Sequence, residues 1–288
     1  MTTSVGVILN AEKPQAVEIG KTLLNWLSQK GISVHYLKEQ AQKLELSDHG
    51  LTKDELVEAS DFLVSLGGDG TLLFTARIAG SSETPILGVN LGELGFLVAV
   101  EPTNIYESLE KVLSGEYFYD RRMLLKSTLY REGKAIDVSY ALNDVVINKG
   151  GFSRMVKLET FVAGEYVNNF PADGIIVSSS TGSTGYSLSA GGPIVSPKVD
   201  VIILTPICPH ALHTRPLIIS PEEQVRVILK TGSPEVILTV DGQWGFALQK
   251  GDEVLVEKAP FRTTLIRFPG WTFYEGVRNK LSKGQRNG

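Results

Sequence analysis

Five consecutive residues, Gly67-Gly68-Asp69-Gly70-Thr71, follow an apolar run and open a helical pattern. Glycines at three of four positions permit a turn that residues with side chains would not tolerate. Such a turn leaves backbone N–H groups exposed at a helix N-terminus, where a phosphate is readily held. A carboxylate is out of place in a pure anion site. Asp69 is therefore assigned either to holding Mg²⁺ or to accepting a proton. The same residues could also form no more than a tight strand-to-helix connection with an Asx-type aspartate. The loop has neither the Gly-Lys-Ser/Thr ending of a Walker loop nor the Gly-x-Gly-x-x-Gly spacing of the dinucleotide fingerprint.

Two further clusters carry chemistry. Asn143-Asp144 joins an apolar segment, Tyr140-Ala141-Leu142, to Val145-Val146-Ile147. An amide that donates and accepts, beside a carboxylate that only accepts, can read sugar hydroxyls; an ordinary polar turn in a β meander reads the same way. From Asp173-Gly174 the chain continues through Ser178-Ser179-Ser180-Thr181-Gly182-Ser183-Thr184-Gly185-Tyr186-Ser187-Leu188-Ser189-Ala190-Gly191-Gly192-Pro193. Small hydroxyl residues and glycines entering a helix offer donors with little bulk, suited to a base and ribose lying against backbone. Tyr186 adds a stacking ring with a polar tip. A flexible Ser/Gly loop with a core tyrosine is the plainer alternative. Thr239-Val240-Asp241-Gly242-Gln243 reads as a strand ending in a hairpin turn.

The elements that must position these residues change character along the chain. Residues 5–9, 32–36, 62–66 and 85–89 are apolar strands. They alternate with helical patterns at 12–30, 55–59 and 72–78 and with a helix capped by Thr103 that runs to about Leu113. Such alternation predicts βαβ units and a parallel doubly wound sheet. Beyond Gly115, short segments rich in Val, Ile, Thr and Tyr predict an all-β sandwich, interrupted by one helix near 186–190. The run 38–48 reads as a solvated helix and loop, and 278–286 as a solvated or frayed tail. With 28 basic and 32 acidic residues and no basic patch interleaved with aromatics, no nucleic-acid partner is expected. No apolar run is long enough to cross a membrane, and none reads as a signal peptide. The one cysteine, Cys208, reads as a buried packing residue. His210 and His213 lack the companions a zinc site needs.

The glycine loop resembles the signature of the NAD kinases, shared more loosely with diacylglycerol and sphingosine kinases and distantly with phosphofructokinases. Asn143-Asp144 stands where NAD kinases carry an Asn-Glu pair. Lipid kinases carry theirs a few residues after the glycine loop, where this chain has Leu72-Leu73-Phe74. Aspartate for glutamate removes one methylene, changing reach rather than role. The stretch from Asp173 to Pro193 is similar to the NAD kinase segment almost residue for residue. Gly185 replaces a common alanine, and Pro171 replaces a residue that is often polar or basic, so that side-chain contact is lost. Gln243 matches a family residue near the dinucleotide. Arg154 occupies a place where the family often has a ligand-contacting basic residue or histidine, though a surface salt-bridge arginine reads the same way.

The resemblance implies an α/β amino-terminal domain at 1–115 (parallel doubly wound sheet, phosphofructokinase-like) and an all-β sandwich at 116–264. A final segment, 265–288, would return to the first domain, with the active site in the cleft between domains. It implies transfer of the γ-phosphoryl group of ATP, or of polyphosphate, to the 2′-hydroxyl of the adenosine ribose of NAD, giving NADP. Mg²⁺ or another divalent metal would come with ATP rather than occupy a fixed protein site. Gly67, Gly68, Gly70 and Thr71 would form the phosphate loop. Asp69 would be catalytic, as base or by positioning the metal or hydroxyl. Asp69, Gly70, Asn143, Asp144, Arg154, Asp173 and Gln243, with Thr184, Gly185, Tyr186, Ser187, Leu188 and Ser189, would hold the dinucleotide. A cytoplasmic homodimer or homotetramer with sites near subunit interfaces is implied, and Tyr186 and Ser189 could serve a neighbouring chain. The alternatives are a lipid kinase of the same superfamily and a non-catalytic NAD-binding sensor.

Overall fold

The computed structural model describes residues 3–46, 50–92, 95–150, 155–210, 213–231 and 235–283. The chain divides into two compact units, Met1–Arg121 with Thr263–Gly288, and Arg122–Arg262.

The first unit opens with β1 (Ser4–Leu9), α1 (Pro14–Gln29), β2 (Ser33–Tyr36), α2 (Lys38–Ala41), α3 (Lys53–Glu58), β3 (Phe62–Gly67), α4 (Asp69–Ala79), β4 (Ile86–Asn90) and α5 (Ile105–Ser114). The strands lie parallel in the order β2-β1-β3-β4. β3 and β4 are buried along their whole length, which is why they read as unbroken apolar runs. Proline at the first turn of α1 and Gly31 beyond its end, at φ +73°, delimit that helix. Its inner face is Ala16, Gly20, Leu23, Leu24 and Leu27, packed in one cluster with Val5, Val7, Leu66 and Val89.

Three expectations change here. α4 begins at Asp69 rather than Leu72, so Gly68 alone separates strand from helix. Thr103 does not cap α5: its hydroxyl bonds Asn104 Oδ1, and the helix starts after a 3-10 turn. The run from Lys38 is not wholly solvated either. Gln40 is buried, its amide pairing with the main chain of Leu9 (Nε2 to O, 2.8 Å; N to Oε1, 3.3 Å), and Leu44 joins the core. A buried amide is tolerated because both its ends are satisfied.

The chain continues with β5 (Phe118–Arg131), β6 (Lys134–Ala141), β7 (Asp144–Lys149), β8 (Val156–Val162), β9 (Glu165–Ala172) and β10 (Gly174–Ser179). A 3-10 turn (Thr181–Thr184) leads to α6 (Tyr186–Ser189), β11 (Ile202–Ile207), β12 (Leu217–Ile219), β13 (Val225–Leu229), β14 (Val236–Val240), β15 (Trp244–Leu248), β16 (Glu253–Arg267) and α7 (Phe273–Lys283). The second unit is an antiparallel sandwich. One sheet runs β12-β11-β10-β7-β14-β15, and the facing strands are β16-β13-β8-β9 with the β5–β6 hairpin. β8, β13 and β14 alternate buried with less buried residues, whereas β10 and β11 are buried throughout. The second face of β7, β10 and β11 carries Val146, Ile176 and Ile207, against which Ala190 packs. The Ser/Gly segment therefore lies along that face.

The last residues return to the first unit. Leu265 pairs in parallel with Ile86 of β4, and Ile266 joins its core. The expected frayed tail is helical as far as Lys283. Cys208 is exposed, not buried, and holds φ +44° just after β11.

Candidate functional site

In the first unit the glycine loop sits at the carboxyl end of β3, where open α/β sheets bind ligands. None of its glycines has a positive φ, so a left-handed turn is not what requires them. Gly67 is needed for space: a Cβ there would collide with the Thr71 side chain. Gly68 has extended backbone (φ −111°, ψ −164°), and a Cβ there would meet nothing within 4 Å among the described residues. The described residues make no demand for glycine at 68, whereas a ligand drawn against the backbone would. Asp69 is half-buried, and both its oxygens accept backbone hydrogen bonds: Oδ2 from Phe96 N (2.8 Å) and Oδ1 from Leu97 N (3.1 Å). A Cβ at Gly95 would collide with the same carboxylate. A carboxylate has about four acceptor positions, so Asp69 held this way can still accept from a substrate hydroxyl.

In the second unit Asn143 and Asp144 lie where β7 starts, beside the end of β10 and the turn after β14. The peptide around them is held by a residue read from sequence only as part of a turn. Asp241, at φ +51°, accepts from the backbone N–H groups of Leu142 (2.9 Å), Asn143 (2.8 Å) and Asp144 (3.0 Å), and its own N–H donates to Asp144 O (2.9 Å). The Asn143 carbonyl accepts from Ser179 N (2.9 Å), and a Cβ at Gly182 would collide with it. Asn143 Oδ1 is buried with no hydrogen-bond partner among the described residues, as an acceptor awaiting a donor would be. Asp144 is 5% exposed. Burial, and then the Asp241 carboxylate, push its pKa up to about 7, against a hydrogen bond from the Tyr186 backbone.

Other sequence-named residues distribute around this pair. A Cβ at Gly185 would lie 3.5 Å from Asn143 Nδ2 and 3.6 Å from Asp144 Oδ2, so this position stands against the same pair. Tyr186 is 41% exposed, and its pKa is raised first by burial and then by Cys208, Asp173 and Asp144. Asp173, just before β10, pairs with Lys149 (2.7 Å). Ser187 turns inward, fully buried, with its hydroxyl 2.9 Å from Thr205 Oγ1; any ligand contact there would have to come from its backbone. Thr184 bonds Thr181 O (3.3 Å), Leu188 is half-buried, and Ser189 and Gln243 are exposed. Gly192 is required by packing, since a Cβ would strike Ser187 Oγ. Arg154 lies outside the described residues.

The two units meet their counterparts in known proteins separately. Residues 5–117 match the ATP-NAD kinase N-terminal domain and residues 142–268 the ATP-NAD kinase C-terminal domain. The chain belongs to the NAD kinase family. It is 47% identical to an NAD kinase of Moorella thermoacetica over 97% of this chain and 89% of that one. It is 44% identical to one of Natranaerobius thermophilus over 98% and 99%. The crystal structure of yeast NADH kinase complexed with NADH superposes with a TM-score of 0.89 at 29% identity, covering 98% of this chain and 88% of that one. An NAD kinase from Archaeoglobus fulgidus in complex with ATP gives 0.75 at 26% identity, covering 98% of each. Membership of the NAD kinase family disfavours the lipid-kinase and sensor alternatives.

Proposed function

We propose that this chain transfers the γ-phosphoryl group of ATP, or of polyphosphate, to the 2′-hydroxyl of the adenosine ribose of NAD, giving NADP. The observation that most supports this reading is Asp69, fixed through both oxygens at the mouth of a glycine loop and still able to accept a proton. Phosphoryl transfer asks a protein mainly for positioning and charge stabilisation. Gly67, Gly68 and Gly70 would bring backbone to the donor phosphates, with Thr71 packed behind Gly67. Asp69 would take the proton of the attacking 2′-hydroxyl. Asn143, Asp144, Gly185 and Tyr186 would hold the dinucleotide, Asp144 accepting from sugar hydroxyls and Asn143 Oδ1 receiving a donor from the ligand. Asp173, Thr184, Ser187, Leu188, Ser189, Arg154 and Gln243 would complete that contact. The yeast and archaeal structures, solved with NADH and with ATP, support both substrate classes.

Mg²⁺ fits as a companion of the nucleotide. It is commonly bound by one or two carboxylates together with substrate phosphates, and the loop offers the single carboxylate of Asp69. Bound there, it would neutralise charge on the phosphates. The same reading carries a homo-oligomer, NADP supply in the cytoplasm and small-molecule partners only; sedimentation velocity measures the first directly. No helix among the described residues is long and apolar enough to cross a membrane. The function is tested by following NADP formation from NAD with ATP or polyphosphate and Mg²⁺, beside diacylglycerol and sphingosine as acceptors. NADP alone as product supports the reading. Lipid phosphorylation, or NAD binding without turnover, contradicts it.

A further inference from the structure

Outside the residues already assigned, one buried charge in the first unit stands next to the loop that holds Asp69. Arg267, at the end of β16, has 0% of its side chain exposed. Its Nη2 donates to Leu97 O (2.8 Å), its Nε donates to Asp120 Oδ2 (3.3 Å), and its guanidinium lies 4.3 Å over the Trp271 ring. Leu97 is thus gripped from both sides: its carbonyl receives from Arg267, and its N–H gives to Asp69. Phe96, the second donor to Asp69, has its ring 4.5 Å from Lys280 Nζ on α7. Residues 95–97 form no helix or strand, so the orientation of their N–H groups depends on what holds that backbone.

We propose that Arg267 is a positioning residue for Asp69, acting through the 96–97 backbone. Burying a guanidinium is costly unless its donors are used, and here they tie the carboxy-terminal strand to the loop that fixes Asp69. Arginine suits the place because its planar fork donates in two fixed directions while its flat face stacks on an aromatic ring; a lysine ammonium is a point charge without that fork. The inference rests on the reading of Asp69 as the group at the reacting hydroxyl. It adds that the last residues of the chain set the aim of that carboxylate without touching substrate.

The test is a double-mutant cycle between Arg267 and Asp69 in the full chain, with amide exchange as a second readout. Arg267→Met is made together with Asp120→Asn, so that no unpaired buried carboxylate threatens the fold; Asp120→Asn alone is the milder variant. Misplacing a reacting group costs up to roughly 100-fold in rate, so kcat should fall roughly 10- to 100-fold, with KM for NAD and ATP kept within about twofold. In an Asp69→Asn background the same change should cost no more than about twofold further. Exchange at the Phe96 and Leu97 amides should quicken by about tenfold or more in both position-267 and position-120 variants. Unchanged kcat, the same loss with Asp69 already neutralised, or unchanged exchange at Phe96 and Leu97 would overturn the proposal. Wild-type turnover of Asp69→Asn alone would instead defeat the role given to Asp69, and exchange would then decide the positioning of its carboxylate by itself.

Discussion

Asp69 and Asp144 are both candidate site aspartates, one in each unit, and their surroundings differ. Asp69 is met by two N–H donors, whereas Asp144 is buried beside a second carboxylate. Asp69→Asn should lower turnover by about 10²- to 10⁴-fold, the usual worth of a general base, while calorimetry still detects NAD binding. For Asp144 the sign is set by a pKa raised from 3.8 to about 7. Between those values the folded chain keeps a proton that the unfolded chain has released. Stability therefore falls as pH rises through that window and stays lower above it, by an amount on the order of a few kcal/mol. Asp144→Asn removes this penalty, and its amide can still accept from Tyr186 and donate towards Asp241. Without ligand it should melt above the wild type at about pH 8, with the gap narrowing as pH falls and closing only near about pH 4. NAD affinity of the wild type should tighten as pH rises through about 7, because the ionised form is the acceptor; isothermal titration on either side of that value measures it. Asp69 and the Asn143-Asp144 pair were legible because their residue types are unusual where they stand. Asp241 was not, since an aspartate before glycine reads first as a turn, and only the fold shows which backbone its carboxylate faces.

At the scale of elements, the candidate residues of each unit stand where strands end and small residues follow. Neighbouring glycines there should respond differently to alanine. Gly67→Ala forces a Cβ into Thr71 and should destabilise the first unit by about 1–3 kcal/mol, as overpacking generally does. Gly68→Ala meets nothing among the described residues, so its melting temperature should stay near wild type while KM for ATP rises. Equal destabilisation of both would show that the loop is merely structural. Gly185→Ala should be tolerated, its nearest neighbour to a Cβ being Gly182 O at 3.3 Å, whereas Gly182→Ala drives into the Asn143 carbonyl and should unseat the pair. The central strands were readable because burial on both faces writes a continuous apolar run. β9 is an edge strand of mixed residues, with Pro171 in its run, and carries no such signal. Pro171 fits such an edge. The start of α4 was placed too late because two glycines and an aspartate speak against helix locally, while β3 and the loop fix the turn.

At the scale of the molecule, each unit encloses its own core. One cluster draws only on residues between Met123 and Val256; the other joins residues from Val5 to Val112 with Ile266. A fragment of residues 122–262 should therefore fold alone, with a cooperative melt and dispersed amide resonances. Residues 1–121 alone should not, because they lack Leu265, Ile266 and Arg267. A disordered 122–262 fragment would contradict this division. The change from strand–helix alternation to short β segments was plain in composition. The role of the final residues was not, because a polar helix read as a tail and nothing local marks Arg267 as buried.

The central claim is phosphoryl transfer from ATP to a single hydroxyl of NAD, with Asp69 at the reacting oxygen. It is tested most directly by incubating the full chain with NAD, Mg²⁺ and ATP labelled in the γ-phosphoryl group, then locating the label by ³¹P NMR. Label should appear on the 2′-position of the adenosine ribose, with one ADP per NADP, and almost none should be formed by Asp69→Asn. Label released only as inorganic phosphate, label on another hydroxyl, or undiminished transfer by Asp69→Asn would contradict it.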